Sequence, residues 1–244
     1  MLHGCIQDPD DFARGTGMNR HAERRCLILV YPHQSRAHNV QGCWNWFRPK
    51  DQRAEGGEAA LLAALTCSVA AEFHVPPDAV FAARLSAGGA MAATLAATHP
   101  DLSAAVGVHS GLPHGIAHDM PSAFEAMRGQ AGRTPRGTTG AVRMIIFHGM
   151  ADATVHPSNA EVLAAVAGSA LRGTFRREKG RSNGGRARSR DVVEVHDGTT
   201  LVESWRIEGA GDVWSGGHSG GSYTDPAGPD ASVEMVRFFL HPRG

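Results

Sequence analysis

Short apolar runs alternate along the chain with longer stretches in which apolar residues recur every three or four positions. The apolar runs are typical of buried strands and lie at 27–31 (LILVY), 80–83, 104–108 and 142–147. Helical spacing is found at 58–73, 87–98, 157–166 and 231–240, with Asp230 as the expected N-cap of the last helix. This alternation predicts one α/β domain over 1–244, with a mostly parallel central sheet flanked by helices.

Two later segments depart from this rhythm. Segment 172–190 holds eight basic residues against one acid, Glu178. We interpret it as a basic, flexible surface loop, and we favour this over a patch for an anionic partner. Beyond it, apolar runs at 192–195 and 201–207 flank Asp197-Gly198, which predicts a β-hairpin with a tight turn.

Charge and composition exclude several classes of function. The 24 basic and 24 acidic side chains cancel, so no overall attraction to nucleic acid or an anionic membrane is expected. No apolar run reaches the ~18 residues of a membrane span, and the first ten residues lack the features of a signal peptide. The four cysteines form neither a disulfide framework nor a metal motif, and buried free thiols are favoured over a single bridge.

A candidate nucleophile lies in the segment RLSAGG, at 84–89, between a short strand and a helix of small residues. Such a turn can expose the Oγ of Ser86, with the N–H of Ala87 facing a developing oxyanion. A second oxyanion donor is expected in LHGC, at the N–H of Cys5. Arg84 stands where the G-x-S-x-G motif has glycine, so the hexapeptide alone also fits a serine that caps an ordinary helix.

An acid and a base are expected further along the chain. Asp152 follows the strand at 142–147, where an α/β enzyme places the carboxylate that orients a histidine, although a local turn would use an aspartate equally well. The base should lie in 209–218, before the last helix. Asp212 occupies the position where we expect histidine, and only His218 lies nearby.

Together these segments resemble the polyhydroxybutyrate-depolymerase-like esterases of the α/β-hydrolase superfamily, close to feruloyl and acetylxylan esterases. The resemblance covers nearly the whole chain. It is carried by LHGCIQDPDDFARGTGMN, GCWNWF at 42–47, LSAGGAMAATLAATHPDLSAAVGVHSGLPHG from 85, FHGMADATVHPSN from 147 and WSGGHSGGSYTDPAGPDASVEMVRFFL from 214.

The resemblance implies a role for each matching residue. The implied nucleophile, triad acid and oxyanion donors are Ser86, Asp152 and the N–H groups of Cys5 and Ala87. Trp44 and Trp46 are implied to line an acyl- or polymer-binding cleft, although core packing would also suit them. A Cys5–Cys43 disulfide is a hypothesis based on the same resemblance. No metal or organic cofactor is implied.

Three departures from the family pattern bear on activity. The chain starts inside the LHGC motif, so we expect it to lack the N-terminal strands of the family sheet. Arg84 replaces the glycine before the serine. Asp212 occupies the family's histidine position, and a carboxylate of ordinary pKa near ~3.9 is a poor base for an alcohol. His218, on a glycine-rich loop, is a less favoured substitute base.

The sequence therefore predicts a serine carboxylester hydrolase acting on small or polymeric esters of short-chain hydroxyalkanoate, acetyl or feruloyl type, through an acyl-enzyme. The main alternative is a catalytically impaired or dead hydrolase relic, which either binds a ligand or is a truncated product with no stable fold. A peptidase on the same fold has little support. The resemblance implies an extracellular or periplasmic location, whereas the missing signal peptide would fit the cytoplasm.

Overall fold

The computed structural model describes residues 1–131, 142–168, 173–195 and 198–241. Within these residues the main sheet has six strands in the order β1-β2-β3-β6-β5-β4. Their bounds are β1 (Phe81–Leu85), β2 (Ala105–His109), β3 (Arg143–Gly149), β4 (Thr174–Arg181), β5 (Ala187–Glu194) and β6 (Thr200–Ile207). The pairs β1–β2, β2–β3 and β3–β6 are parallel, and the β6–β5 and β5–β4 pairs are antiparallel. The predicted, mostly parallel sheet is confirmed.

Helices cover both faces of this sheet. They are α1 (Pro9–Thr16), α2 (Met18–Arg25), α3 (Gly57–Glu72), α4 (Ala87–Thr98), α5 (Met120–Met127), α6 (Ser158–Gly168) and α7 (Ala231–Leu240). Asp230 caps α7 by accepting a hydrogen bond from the N–H of Val233, which confirms the predicted N-cap. A two-stranded parallel ribbon, β7 (Trp214–Ser215) and β8 (Thr224–Asp225), precedes α7.

Buried apolar side chains pack on both sides of the sheet. On one face, Val106 and Ile146 pack with small residues of α4 and with Leu163 of α6. On the other face, Ile145 and Phe147 pack with α7 residues such as Met235 and Phe238. No helix among the described residues is both long enough and apolar enough to cross a membrane.

The apolar run at 27–31 was predicted as a strand, and this prediction is wrong. The segment is irregular, and Leu27, Leu29 and Tyr31 pack half-buried against the core. The Tyr31 hydroxyl donates to Asn19 Oδ1 in α2. The apolar pattern correctly indicated burial, but strand formation also requires a neighbouring backbone to pair with.

The basic segment 172–190 is not a loop. Arg172 lies outside the described residues, but β4 and β5 occupy most of the remainder and pair with each other through eight residues each. Two cross-strand pairs carry opposite charges: Arg177 faces Asp191, and Glu178 faces Arg190. These ion pairs compensate part of the positive charge and stabilise the pairing, because opposite charges on facing residues attract. The predicted β5–β6 hairpin is also confirmed; Asp197 of its turn lies outside the described residues.

Candidate active site

Ser86 lies on a strained turn between β1 and α4. Its backbone has φ 53° and ψ −116°, a region that L-residues rarely adopt. Gly88, two residues later, must be glycine, because a Cβ there would lie 2.5 Å from the carbonyl oxygen of Leu2. The turn is therefore held between β1, α4 and the N-terminal segment. The Ser86 Oγ donates a hydrogen bond of 2.8 Å to Asp212 Oδ2.

Asp212 reaches Ser86 from the loop that follows β6. Burial, followed by the charge of Asp152, raises the pKa of Asp212 to about 7, against the opposing effect of the Ser86 hydrogen bond. Its Oδ1 atom is buried and has no hydrogen-bond partner among the described residues. The structure therefore brings Ser86 into contact with Asp212, where the sequence resemblance implies histidine, and the pKa of this carboxyl group lies near neutrality.

Asp152 follows β3, as predicted, in a tight turn. Its Oδ1 accepts hydrogen bonds from the N–H groups of Thr154 and Val155, at 2.9 and 2.8 Å. Its Oδ2 lies 3.4 Å from Nε2 of the buried His148. Although burial acts to raise it, these contacts with His148, Val155 and Thr154 hold the pKa of Asp152 below its ordinary value. Asp152 is therefore the ionised member of the two carboxyl groups near neutral pH.

Two buried histidines, for which no role was predicted from the sequence, support this region. His148 Nε2 lies 2.8 Å from the carbonyl of Val155, which fixes the turn containing Asp152. His109, at the end of β2, accepts a hydrogen bond from the N–H of Ser215. Burial, and to a lesser extent His148, lowers the pKa of His109 to about 3. Both histidines follow directly after predicted parallel strands, and this position in the sequence could have identified them as residues of the site.

A cleft of about 440 Å³ opens at Ser86. Its lining is mostly apolar and includes Leu85, Trp46, Phe47, Leu112, Met120, Ala123, Phe124, Met127, Val155 and Tyr223, together with Cys5, Ala87 and Asp212. The N–H groups of Cys5 and Ala87 have no protein acceptor among the described residues. Both predicted oxyanion donors therefore border the same cleft as Ser86.

The hypothesised disulfide between Cys5 and Cys43 is present in the structure. It joins the N-terminal loop to the segment that carries Trp46, on one side of the cleft. The two free thiols, Cys26 and Cys67, are exposed, so the expectation of buried thiols was wrong. No group of three or more His, Cys, Asp or Glu side chains in the described ranges is arranged to hold a metal ion.

The two tryptophans have different surroundings. Trp46 lines the cleft, as predicted. Trp44 does not line it: its ring is buried in the core, and its Nε1 donates to the carbonyl of His3. Trp44 therefore supports the N-terminal loop, because its indole N–H provides the hydrogen bond that the buried His3 carbonyl requires.

His218 does not reach the site. Its ring is exposed, its Nδ1 accepts from the N–H of Gly220, and it is absent from the cleft lining. Its backbone is tied to the carbonyl of Gly15 and to Thr224. These bonds hold the loop away from Ser86, so the structure gives no support to His218 as a substitute base.

Arg84 is buried beside the turn. Its Nε and Nη1 atoms have no hydrogen-bond partner among the described residues, and burial lowers the pKa of Arg84 to about 9. An unpaired buried cation destabilises the folded state, because its lost hydration is not replaced. Despite this, Ser86 keeps its strained backbone conformation and its contact with Asp212.

Comparisons with known proteins show the family to which the chain belongs. Residues 1–197 match the model of the family described as esterase PHB depolymerase. The chain is 31% identical over 170 residues to poly(3-hydroxyalkanoate) depolymerase C of Paucimonas lemoignei, covering 65% of this chain and 41% of that protein. It is 28% identical over 174 residues to feruloyl esterase B of Neurospora crassa, covering 64% and 59%. The chain thus spans less than two thirds of the length of either relative.

Solved structures resemble the fold. An acetyl xylan esterase from Aspergillus awamori superposes with a TM-score of 0.67 at 20% identity, covering 86% of this chain and 81% of that chain. A carboxylesterase from Mesorhizobium loti gives a TM-score of 0.57 at 18% identity, covering 98% and 87%. The architecture is that of the α/β-hydrolase fold.

Proposed function

The chain belongs to the esterase PHB depolymerase family of carboxylic ester hydrolases, and from this premise we propose that it hydrolyses esters through Ser86. One observation carries the proposal. Ser86 lies on a strained strand–turn–helix at an apolar cleft, with its Oγ 2.8 Å from the Asp212 carboxyl group and two unpaired N–H donors beside it. A nucleophile, a proton acceptor and oxyanion donors are the parts that acyl transfer requires.

The mechanism uses Asp212 at the position where the family resemblance implies histidine. Ser86 Oγ attacks the ester carbonyl while its proton passes to Asp212, and the N–H groups of Cys5 and Ala87 stabilise the oxyanion. Collapse of the tetrahedral intermediate returns the proton from Asp212 to the departing alcohol. Water then attacks the acyl-Ser86 ester in the same way, which regenerates the free serine and releases the acid.

The environment makes Asp212 a better base than its residue type suggests. A carboxylate with a pKa of ~3.9 would hold the serine proton weakly. Burial and Asp152 raise the pKa of Asp212 to about 7, which brings its proton affinity near that of an ordinary histidine. The ionised Asp152 therefore takes a new role: it raises the basicity of its neighbour instead of orienting an imidazole.

The proposed substrates are carboxylic esters with apolar acyl groups, of hydroxyalkanoate, acetyl or feruloyl type. Support comes from the largely apolar cleft lining and from the relatives, a poly(3-hydroxyalkanoate) depolymerase and a feruloyl esterase. We also propose an extracellular or periplasmic location. The Cys5–Cys43 disulfide supports it, because such bonds persist mainly in oxidising compartments.

The test is hydrolysis of p-nitrophenyl acetate and butyrate by the purified chain, beside Ser86→Ala and Asp212→His. We expect turnover by the parent, loss to the uncatalysed rate in Ser86→Ala, and a gain of at least about tenfold in Asp212→His, since imidazole combines basicity with mobility as a proton carrier. Parent activity that survives Ser86→Ala would overturn the proposal.

The second candidate function is ligand binding without turnover. It is favoured by Asp212, which leaves no histidine in the described lining of the cleft, and by the unpaired Arg84 beside the turn. This candidate predicts that the parent protein is inert yet folded and still binds an ester analogue in the cleft, for example a p-nitrophenyl ether. Gain of activity in Asp212→His alone would show a site that is intact except for its base.

A further inference from the structure

The N-terminal loop holds the peptide groups around Gly4 in fixed orientations. The carbonyl of His3 accepts from Trp44 Nε1 at 3.1 Å, and the N–H of Gly4 donates to Gln7 Oε1 at 3.0 Å. These two bonds fix both polar groups of the His3–Gly4 peptide. The next peptide, Gly4–Cys5, has its carbonyl oxygen 2.8 Å from Nδ1 of His3. These two peptides have four polar groups: two carbonyls and two N–H groups. Of these four, only the N–H of Cys5 has no hydrogen-bond partner among the described residues, and Cys5 lines the cleft.

The contacts of the His3 ring define its protonation. The N–H of Gln34 donates to His3 Nε2 at 3.2 Å, so Nε2 carries no proton. A neutral imidazole has one N–H, which must then be on Nδ1, where it donates to the Gly4 carbonyl. Burial is the main influence on the pKa of His3 and lowers it; His33 acts in the same direction, and the Gly4 carbonyl and Asp8 oppose. The ring is therefore neutral near pH 7.

We propose that His3 is a positioning residue for the oxyanion donor: its Nδ1–H holds the Gly4 carbonyl so that the Cys5 N–H faces the cleft beside Ser86. In a trans peptide the C=O and N–H point in opposite directions, and the described residues contain no cis peptide bond. Holding the Gly4 oxygen on the His3 side consequently directs the Cys5 N–H away from His3. This inference rests on the proposed esterase function.

Two substitutions separate the two hydrogen bonds of the His3 ring. His3→Asn can place an amide N–H near the position of Nδ1 and keep the donor to Gly4, but it loses the acceptor for Gln34. His3→Gln can place its amide oxygen near Nε2 and keep the Gln34 bond, but it loses the donor to Gly4. A general loss of packing would affect both variants alike. The ring of His33 is exposed, and its centroid lies 6.4 Å from that of the His3 ring. His33→Gln is therefore the control for a change in local charge.

The kinetic readout is ester hydrolysis. We expect His3→Gln to lower kcat about 10- to 100-fold with little change in KM, because a misdirected oxyanion donor weakens binding of the transition state more than of the substrate. His3→Asn should retain kcat within a few-fold, and His33→Gln should match the parent. Equal losses of kcat in the Asn and Gln variants, or full activity in His3→Gln, would overturn the proposal.

A second readout does not depend on catalysis. Nitrogen and carbon NMR shifts of labelled histidine should show the Nδ1–H tautomer of His3 in the parent. The Cys5 amide resonance should shift in His3→Gln and stay near its parent position in His3→Asn. An Nε2–H tautomer, or a Cys5 amide unaffected in His3→Gln, refutes the positioning role. An inactive parent with the expected NMR pattern counts against the esterase proposal alone.

Discussion

Asp212 is the proposed proton acceptor for Ser86, and its protonation sets the expected pH dependence. Its pKa of about 7 means that the carboxyl group is protonated, and unable to accept the Ser86 proton, at lower pH. We expect kcat/KM for p-nitrophenyl butyrate to rise with pH through about 7 and then level off. A profile that is flat from pH 5 to 9 would argue against Asp212 as the base.

The same pKa makes Asp212 a source of instability. A carboxyl group whose pKa is raised on folding binds its proton more tightly in the folded state, so stability falls as the pH rises from about 4 to about 7. We expect Asp212→Asn to leave Tm nearly unchanged at pH 4 and to raise the free energy of unfolding by about 2 kcal/mol at pH 8. Thermal unfolding at both pH values tests this. A gain of similar size at pH 4 would contradict it.

Arg84 offers a second test at the residue scale. Its buried, unpartnered Nε and Nη1 atoms predict that removal of the charge stabilises the protein. We expect Arg84→Met to raise the free energy of unfolding by about 1–3 kcal/mol, because it keeps the apolar stem and removes an unpaired buried cation. Arg84→Lys is the matched control and should give no gain. Equal stabilities of the Met and Lys variants would refute the interpretation.

At the scale of elements, the N-terminal loop depends on the Cys5–Cys43 disulfide. The bridge spans 38 residues and borders the cleft. We expect reduction to lower the free energy of unfolding by about 3–4 kcal/mol, and to lower kcat because Cys5 carries a proposed oxyanion donor. The double variant Cys26→Ser/Cys67→Ser, which removes only exposed free thiols, should show the same losses on reduction. No loss of stability on reduction would contradict the prediction.

The elements also show where local patterns are ambiguous. The spacing of four along Leu61, Leu65, Val69 and Phe73 correctly indicated the helix α3. Yet the side chains of Leu61, Leu65 and Phe73 are 68%, 38% and 53% exposed. The buried face is formed by Ala59, Leu62 and Ala63. Periodicity therefore identified the helix but not the face that packs, because small residues allow closer contact with neighbouring backbone than large ones.

At the scale of the whole molecule, the cleft is built from distant segments. Among the described residues, its exposed apolar rim comprises Ile6, Met120, Phe124 and Tyr223, from the N-terminal loop, α5 and the loop before β8. We expect kcat/KM to increase from acetate to butyrate esters, because the longer acyl chain buries more apolar surface at ~25 cal/mol per Å². Phe124→Asp should reduce the ratio of kcat/KM for the butyrate ester to kcat/KM for the acetate ester. Phe73→Asp, at the exposed end of α3, should leave this ratio unchanged. Similar ratios in both variants would exclude the rim from substrate recognition.

The sequence by itself determined the alternation of strands and helices, the strand–turn–helix around Ser86 and the turn containing Asp152. These features depend on residues near one another in the chain, and their apolar spacing and motifs are local signals. The same holds for the Asp230 cap of α7.

Only the tertiary structure decided the chemistry of the candidate site. Asp212 lies 126 residues from Ser86, and its pKa depends on burial and on Asp152, which no local pattern encodes. Other features likewise connect distant segments: the hydrogen bond from the N–H of His218 to the carbonyl of Gly15, the contribution of α5 to the cleft and the antiparallel pairing of β4. Proton affinity, solvent exclusion and backbone pairing arise from what the folded chain brings together, so the residues could be identified beforehand but their properties could not.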